Sequence, residues 1–406
     1  MNVLFLTTGN VIDLHSHGIY PDLLRTFSNH GHHVYIVSPY EKRTGLKTEL
    51  KNELGVSVLH VAMGNITKCS IIEKGISTLQ IEYKFKSAIK RYFKDTKFDL
   101  ILYSTPPVTF SSVIQFFKRR DNAKTYLLLK DIFPQNAVDI GMLSKTGFKG
   151  LVYRYFRLVE KKLYAISDRI GCMSPANVEY LLANNPEIES SRTEICPNSI
   201  EMRNMTITAE ERITLREKYG LPQDKKIFVY GGNLGKPQGI PFIIECLKSQ
   251  TNNPEAYFLI VGDGTEFRKL EAYFNEANQK NMKLLPRMSK DDFDRMAAAC
   301  DVGLIFLDHR FTIPNFPSRL LAYMQAGLPV LACTDPNTDI GKVIVDGGFG
   351  WWCESNDVEA FGKAVHAAVL SDSDDMKQNS FLYLKKHYTV EQAYQTILKA
   401  LGDMES

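Results

Sequence analysis

Several short segments of this 406-residue chain put phosphate- and hydroxyl-handling residue types beside turn-forming glycine or proline. In Gly231-Gly232-Asn233-Leu234-Gly235-Lys236, the glycines let backbone N–H groups approach an anion, and Lys236 adds a cation. In Phe316-Pro317-Ser318-Arg319-Leu320-Leu321, Pro317 stands just before a helical pattern. The exposed N–H groups of Ser318, Arg319 and Leu320, with the Arg319 guanidinium, form a second anion site. Gly262-Asp263-Gly264 follows an apolar run and either lines the same site or is a plain turn. The loop Gly9–Gly18 contains Asp13, His15 and His17. These residues could contact or deprotonate a hydroxyl, or stand as solvated loop residues. Asp131, in Lys130-Asp131-Ile132-Phe133-Pro134, is either a base or sugar-hydroxyl acceptor, or the cap of its own turn.

The elements that must hold these segments are legible as apolar runs alternating with longer amphipathic patterns. Strands are expected at 2–7, 33–38, 56–61, 99–104, 124–130 and 168–173, then at 226–231, 256–261, 302–307 and 328–332. Runs such as Tyr126-Leu127-Leu128-Leu129 and Tyr257-Phe258-Leu259-Ile260-Val261 are continuous rather than alternating. That pattern suits strands buried on both faces of a parallel α/β sheet. The same opening occurs twice. Val3-Leu4-Phe5-Leu6 runs into Thr7-Thr8-Gly9-Asn10, and Ile227-Phe228-Val229-Tyr230 runs into the glycine turn. Ligands bind at such turns, outside the carboxyl ends of strands. Two Rossmann-like domains are therefore expected: 1–203, and 204–388 beyond the turn at Pro197-Asn198-Ser199. The terminal segment 389–406 should be a helix packing back on the first domain.

Composition is that of an ordinary soluble globular chain, 44% hydrophobic and 23% charged. No apolar run approaches the roughly 20 residues of a membrane span, and no signal peptide is expected at the N-terminus. The seven cysteines are scattered, without a CxxC pair, and read as buried reduced thiols in a cytosolic protein. The net charge of +3 is unevenly spread. Residues 1–200 hold 26 Lys+Arg against 18 Asp+Glu, leaving the rest acidic. Basic residues alternate with aromatics in 81–98 and 145–164. In the second stretch Val152, Tyr155, Phe156, Val159 and Leu163 share one helical face. Docking on an anionic membrane surface is expected through both stretches; the competing reading is ordinary core with a solvated basic edge. No nucleic-acid partner is expected.

Taken together, these segments resemble the retaining nucleotide-sugar glycosyltransferases of family 4, with the GT-B architecture of two Rossmann-like domains facing across a cleft. The resemblance spans nearly the whole chain. It is carried by Gly31-His32-His33-Val34, Pro197-Asn198, Tyr230–Gly235, Gly262-Asp263-Gly264, Ala299-Cys300-Asp301-Val302-Gly303-Leu304 and Pro317–Leu331. Asp-Ile-Phe-Pro and Gly-Asn-x-Gly-x-x-Gln-Gly are similar to the bacterial O-antigen and capsule branch, often labelled N-acetylfucosamine transferases. The resemblance implies that the second domain binds the donor, which is taken to be a UDP-N-acetylamino sugar. Gly232, Asn233, Gly235, Lys236, Gly262, Arg287, Ser318, Arg319 and Leu320 are the donor-site candidates. The first domain would bind a polyprenyl-diphosphate-linked acceptor, with His17 and Asp131 as catalytic candidates. Retention without a metal or other cofactor, at the cytoplasmic face of a bacterial inner membrane, is also implied. Two glutamates common in such enzymes fall here on Pro314 and Ala322, with Asn315 or Asp308 as stand-ins. The usual Arg and Lys after the glycine turn fall on Asn233 and Gln238, leaving Lys236, Arg287 and Arg319 to supply positive charge. The alternatives are a catalytically inactive GT-B assembly partner and a GT-B epimerase.

Overall fold

The computed structural model describes residues 1–9, 14–66, 71–277 and 280–402; Asp13 and Cys69 lie outside them. The chain divides into two compact units, Met1–Glu201 with Thr389–Ser406, and Met202–Tyr388.

The first unit is built on eight strands: β1 (Asn2–Leu6), β2 (His33–Glu41), β3 (Glu49–Glu53), β4 (Val56–Met63), β5 (Leu100–Ser104), β6 (Lys124–Leu129), β7 (Arg169–Cys172) and β8 (Thr193–Ile195). Their order is β3-β4-β2-β1-β5-β6-β7-β8. Only the β3–β4 pairing is antiparallel. The continuous apolar runs have a direct cause. Val3 and Phe5 join Leu100, Leu102 and Leu128 on one face, while Leu4 and Leu6 join Ile101, Tyr103 and Leu127 on the other. Both faces are covered, so alternation along the strand has nothing polar to show. One cover is the terminal helix Val390–Gly402. Its Ala393, Tyr394, Ile397, Ala400 and Leu401 complete the core with Leu23, Leu24 and Phe27.

The second unit holds six parallel strands, β9 (Lys226–Asn233), β10 (Ala256–Asp263), β11 (Met282–Pro286), β12 (Val302–Phe306), β13 (Val330–Thr334) and β14 (Gly350–Glu354), in the order β11-β10-β9-β12-β13-β14. Strand order reverses beside β1 in the first sheet and beside β9 in the second. Both glycine-containing turns therefore leave from a topological switch point, where open α/β sheets bind ligands. β3, β8, β11 and β14 were not among the expected strands, and all four are sheet edges.

Six cysteines, at 172, 196, 246, 300, 333 and 353, are free and buried. Among the described residues no helix is long and apolar enough to cross a membrane.

Candidate functional site

Two strands and one short helix shape the glycine turn of the second unit. Gly262 pairs with Gly232 across β10 and β9, and a Cβ at Gly262 would lie 1.9 Å from the Gly232 carbonyl oxygen. A Cβ at Gly264 would lie 2.4 Å from the Leu234 carbonyl oxygen. Both glycines are thus required by strand packing before any ligand is considered. Gly232 has φ +133, a conformation open to glycine and strained for other residues. Beyond the strand, the Gln238 side-chain carbonyl accepts from Asn233 Nδ2 (2.9 Å) and from the Gly235 N–H (3.1 Å). The Asn233 amide therefore helps brace the turn internally. Lys236 is exposed at the outer end.

The helix Arg319–Gln325 is fixed from below by Tyr323. Its buried hydroxyl accepts from the Gly231 N–H at 3.1 Å and lies 3.1 Å from the carbonyl oxygens of both Val229 and Leu304. Its ring fills the space a Cβ at Gly303 would need, 2.4 Å away. One turn earlier on the same helix, Arg319 is thereby laid across the glycine turn. Its guanidinium sits 4.1 Å from the centre of the Tyr230 ring, and a Cβ at Gly232 would meet its Nη2 at 2.9 Å. Arg319 Nη1 is buried with no hydrogen-bond acceptor among the described residues. A buried, permanently charged donor without an acceptor is costly unless an anion supplies the missing bonds.

The other donor-site candidates are less equal. Ser318 is exposed at the N-cap position, and its hydroxyl makes no cap bond. Leu320 is fully buried, and its N–H donates to the Pro317 carbonyl at 3.2 Å. Its side chain and N–H both serve the fold. Arg287, at the end of β11, is 74% exposed and 3.9 Å from Asp263. Asp301 of the quoted motif is architectural. It pairs with Arg212 and Arg216 and accepts from the Ile227 N–H, tying the helix Ala209–Tyr219 to β9.

Of the two stand-in positions, Asp308 is not open. Asp308 is buried, and both its oxygens are taken by Arg310, at 2.8 and 2.7 Å. Burial alone would raise its pKa, but the Arg310 bonds outweigh it and hold the group below the usual value. The Asn315 backbone carbonyl accepts from the Thr338 hydroxyl, a bond that leaves its side chain uninvolved. Sequence reasoning missed Asp335, which follows β13. Its Oδ1 accepts from the N–H groups of Asn337 (2.9 Å) and Thr338 (3.2 Å), while Oδ2 is buried without a partner among the described residues. Burial pushes its pKa up to about 6. Asp-Pro-Asn-Thr after an apolar strand was the available signal.

In the first unit, the turn after β6 is locked by Thr105. Its hydroxyl oxygen accepts from the N–H groups of Lys130 (3.1 Å) and Asp131 (3.2 Å), and the hydroxyl donates to the Asp131 carbonyl (2.8 Å). Asp131 is half-buried, and both carboxylate oxygens lie 2.8 Å from Asn136 Nδ2. Burial drives its pKa up to about 6, against the Asn136 bond. The neighbouring Lys130 is pushed down to about 8 by burial, with Nζ donating to the Cys196 carbonyl at 3.1 Å. Asp131 therefore caps its own turn and also carries a proton affinity suited to general base work near neutrality.

His17 is held by Arg25, whose Nη2 lies 3.3 Å from His17 Nδ1. A guanidinium can only donate, so in this contact His17 Nδ1 is the accepting atom. Carboxylate oxygens of Asp22 and Glu201 lie 3.6 and 3.8 Å from the same Nδ1. Arg25 also donates to Asp22, to Glu201 at 3.0 Å, and to the carbonyls of Leu14 and Ser16 at 2.7 Å. His17, Asp22 and Glu201 bring potential metal-ligand atoms within 4.8 Å of one another. The guanidinium already supplies positive charge to the two carboxylates. The His17 and Asp131 loops leave the same edge of the sheet, on strands separated only by β5.

In the basic-aromatic stretches some of the aromatics are packed inward. Phe85, Phe93 and Phe98 of the first are core residues. In the second, Leu163 is core and Phe156 and Val159 pack against it. Of the face read as a docking surface, Phe156, Val159 and Leu163 bind the helix to its own domain, whereas Tyr155 is 46% exposed.

A GT-B arrangement of two Rossmann-like units, with an anion-ready turn in the second, is the class this architecture defines. Residues 211–381 match the family model of glycosyl transferases group 1. The match falls wholly within the unit that carries Arg319 and the glycine turn. The chain is 25% identical over 300 residues to the probable glycosyltransferase WbjE of Pseudomonas aeruginosa, covering 73% of this chain and 72% of that one. It is 23% identical over 224 residues to the UDP-Gal:alpha-D-GlcNAc-diphosphoundecaprenol alpha-1,3-galactosyltransferase of Escherichia coli, covering 53% and 54%. Among solved structures, Anabaena HepE in complex with UDP and glucose superposes with a TM-score of 0.73 at 14% identity. It covers 99% of this chain and 100% of that one, a likeness of fold.

Proposed function

We propose that this chain transfers a sugar, an N-acetylamino sugar, from a UDP-linked donor to a polyprenyl-diphosphate-linked acceptor, in O-antigen or capsule assembly at the cytoplasmic face of an inner membrane. The observation that carries the reading is Arg319: a guanidinium stacked on Tyr230, pressed onto Gly232, with one buried nitrogen lacking an acceptor among the described residues. A diphosphate oxygen is the ligand chemistry that completes it. The donor's leaving diphosphate gains charge as the glycosidic bond breaks. A preorganised guanidinium, turn N–H groups and Lys236 would stabilise that charge without a bound metal. Asp131 would accept a hydrogen bond or proton from the acceptor hydroxyl, and His17 would contact that hydroxyl or help deprotonate it. Transfer with retention and UDP as the carrier are parts of this proposal. The relative whose name includes UDP-Gal and a diphosphoundecaprenol-linked sugar supports the donor and acceptor classes.

One set of observations favours a second reading, a non-catalytic assembly partner. Pro314 and Ala322 carry no carboxylate, and Asp308 is spent on Arg310. A panel of UDP, GDP, ADP and their sugars, read by thermal shift and by donor turnover with a lipid-diphosphate-sugar acceptor, separates the two. Selective stabilisation by UDP with an axial-linked product supports retaining transfer. Binding without turnover under any acceptor supports the partner role.

A further inference from the structure

The helix Gly147–Ile166 also turns an apolar face to solvent. Phe148, Leu151, Tyr155 and Leu158 of the helix Gly147–Ile166 are 81%, 61%, 46% and 61% exposed. Their spacing of three, four and three residues puts them in one stripe, beside the stripe of Phe156, Val159 and Leu163 that meets the core. Met142, just before the helix, is 54% exposed. Large apolar side chains contiguous on a surface mark an interaction site. The surrounding charge selects the partner. No Asp or Glu occurs between Asp139 and Glu160, whereas Lys145, Lys149 and Arg154 are exposed there and Lys162 follows. The helix's carboxylate, Glu160, is turned inward and paired with Arg157.

We propose that Met142 and the first three turns of this helix are a foot that inserts into an anionic lipid surface, with Phe148, Leu151 and Leu158 entering the acyl boundary and Tyr155 at headgroup depth. This deepens the lipid-linked-acceptor reading and rests on it for its setting. It also narrows the membrane contact. The 81–98 stretch spends Phe85, Phe93 and Phe98 in the core and leaves Tyr83 as its exposed large aromatic, among basic residues and Asp95. An apolar stripe with cationic flanks, in a segment that holds no Asp or Glu from 140 to 159, fits an anionic bilayer. A protein partner bound through the stripe would need no such uniform charge.

The test is co-sedimentation of the full chain with phosphatidylcholine vesicles, with and without phosphatidylglycerol. The wild type should pellet with the anionic vesicles and be released by salt. Phe148→Ser with Leu151→Ser should lower partitioning by at least about tenfold. Lys149→Gln with Arg154→Gln should weaken it on anionic vesicles only. Tyr83→Ser, 78% exposed in the other stretch, should leave it unchanged. These residues are on the surface, so circular dichroism should be unaltered. Equal binding by the Phe148/Leu151 variant would overturn the foot, as would wild type that ignores anionic vesicles. So would loss of a wild-type dimer in the variant without vesicle binding, since the occupant would then be a second copy. Transfer to a short-chain, water-soluble acceptor should survive the Phe148/Leu151 variant. Absence of that transfer in wild type would defeat the enzymatic reading while leaving the vesicle result standing.

Discussion

Replacing Arg319 by Met keeps a long side chain over Tyr230 and removes the charge, and the structure gives opposite signs for its two consequences. Without ligand, the variant loses a cation–π contact at 4.1 Å, about 1 kcal/mol for a partly buried pair. It also removes a buried unpaired donor, Nη1, whose burial costs about 1–3 kcal/mol. The net effect is a ligand-free protein as stable as wild type or about 2 kcal/mol more so. At about 2–4 °C per kcal/mol for a domain of this size, the melting midpoint stays level or rises by a few degrees. With UDP the sign reverses. Loss of a two-bond guanidinium–phosphate contact costs about 3 kcal/mol, or about 150-fold in Kd. At a concentration that is about 100 times the wild-type Kd, UDP stabilises wild type by about 2.7 kcal/mol and the variant by only about 0.3 kcal/mol. Differential scanning fluorimetry with and without UDP reads both numbers. A variant that melts several degrees lower alone and keeps the full UDP shift would refute the argument, making Arg319 a packing residue.

Gln238→Ala frees Asn233 Nδ2 and strands the Gly235 N–H, so it should cost about 1–3 kcal/mol in urea unfolding and raise donor KM more than it lowers kcat. Asp131→Asn tests the raised carboxyl. With a folded pKa of about 6 above the ordinary value, the native state holds the extra proton between about pH 4 and 6, so stability falls as pH rises through that window. The variant should lack that slope and be at most about 3 kcal/mol more stable at pH 7, while losing the acid limb of the transfer profile. His60 runs the other way over nearly the same range. Burial lowers its pKa to about 4, so its contribution is lost as pH falls from about 6.5. His60→Gln should flatten that loss, and urea midpoints from pH 4 to 8 in both variants keep the two effects apart.

The central strands were legible because both of their faces are buried, leaving unbroken apolar letters such as Leu100-Ile101-Leu102-Tyr103. Edge strands escape that rule. β3 reads Glu-Leu-Lys-Asn-Glu, with Lys51 and Asn52 in solvent, and its identity comes from pairing with β4 rather than from its own composition. The site divides the same way. Glycines 232, 262 and 264 announce the turn because backbone proximity excludes a side chain. The work of Tyr230 and Tyr323 was hidden, since each reads as one more apolar member of a strand or helix. On the helix Gly147–Ile166 two adjacent apolar stripes compete, and periodicity cannot say which one meets the sheet. Only the packed neighbours, absent from the local sequence, decide it.

The first unit is discontinuous: 187 residues of the second are inserted between Glu201 and Thr389. During synthesis the inserted unit is complete in sequence, and free to close its core, while the earlier one still lacks its final helix. At ribosomal rates of about 5–20 residues per second, the surface of Leu23, Leu24 and Phe27 waits roughly 10–40 s for Tyr394, Ile397 and Leu401 to arrive. The half of the chain made first is the half finished last. Its nascent apolar face is where a chaperone has most to cover, and where a C-terminal truncation does its damage.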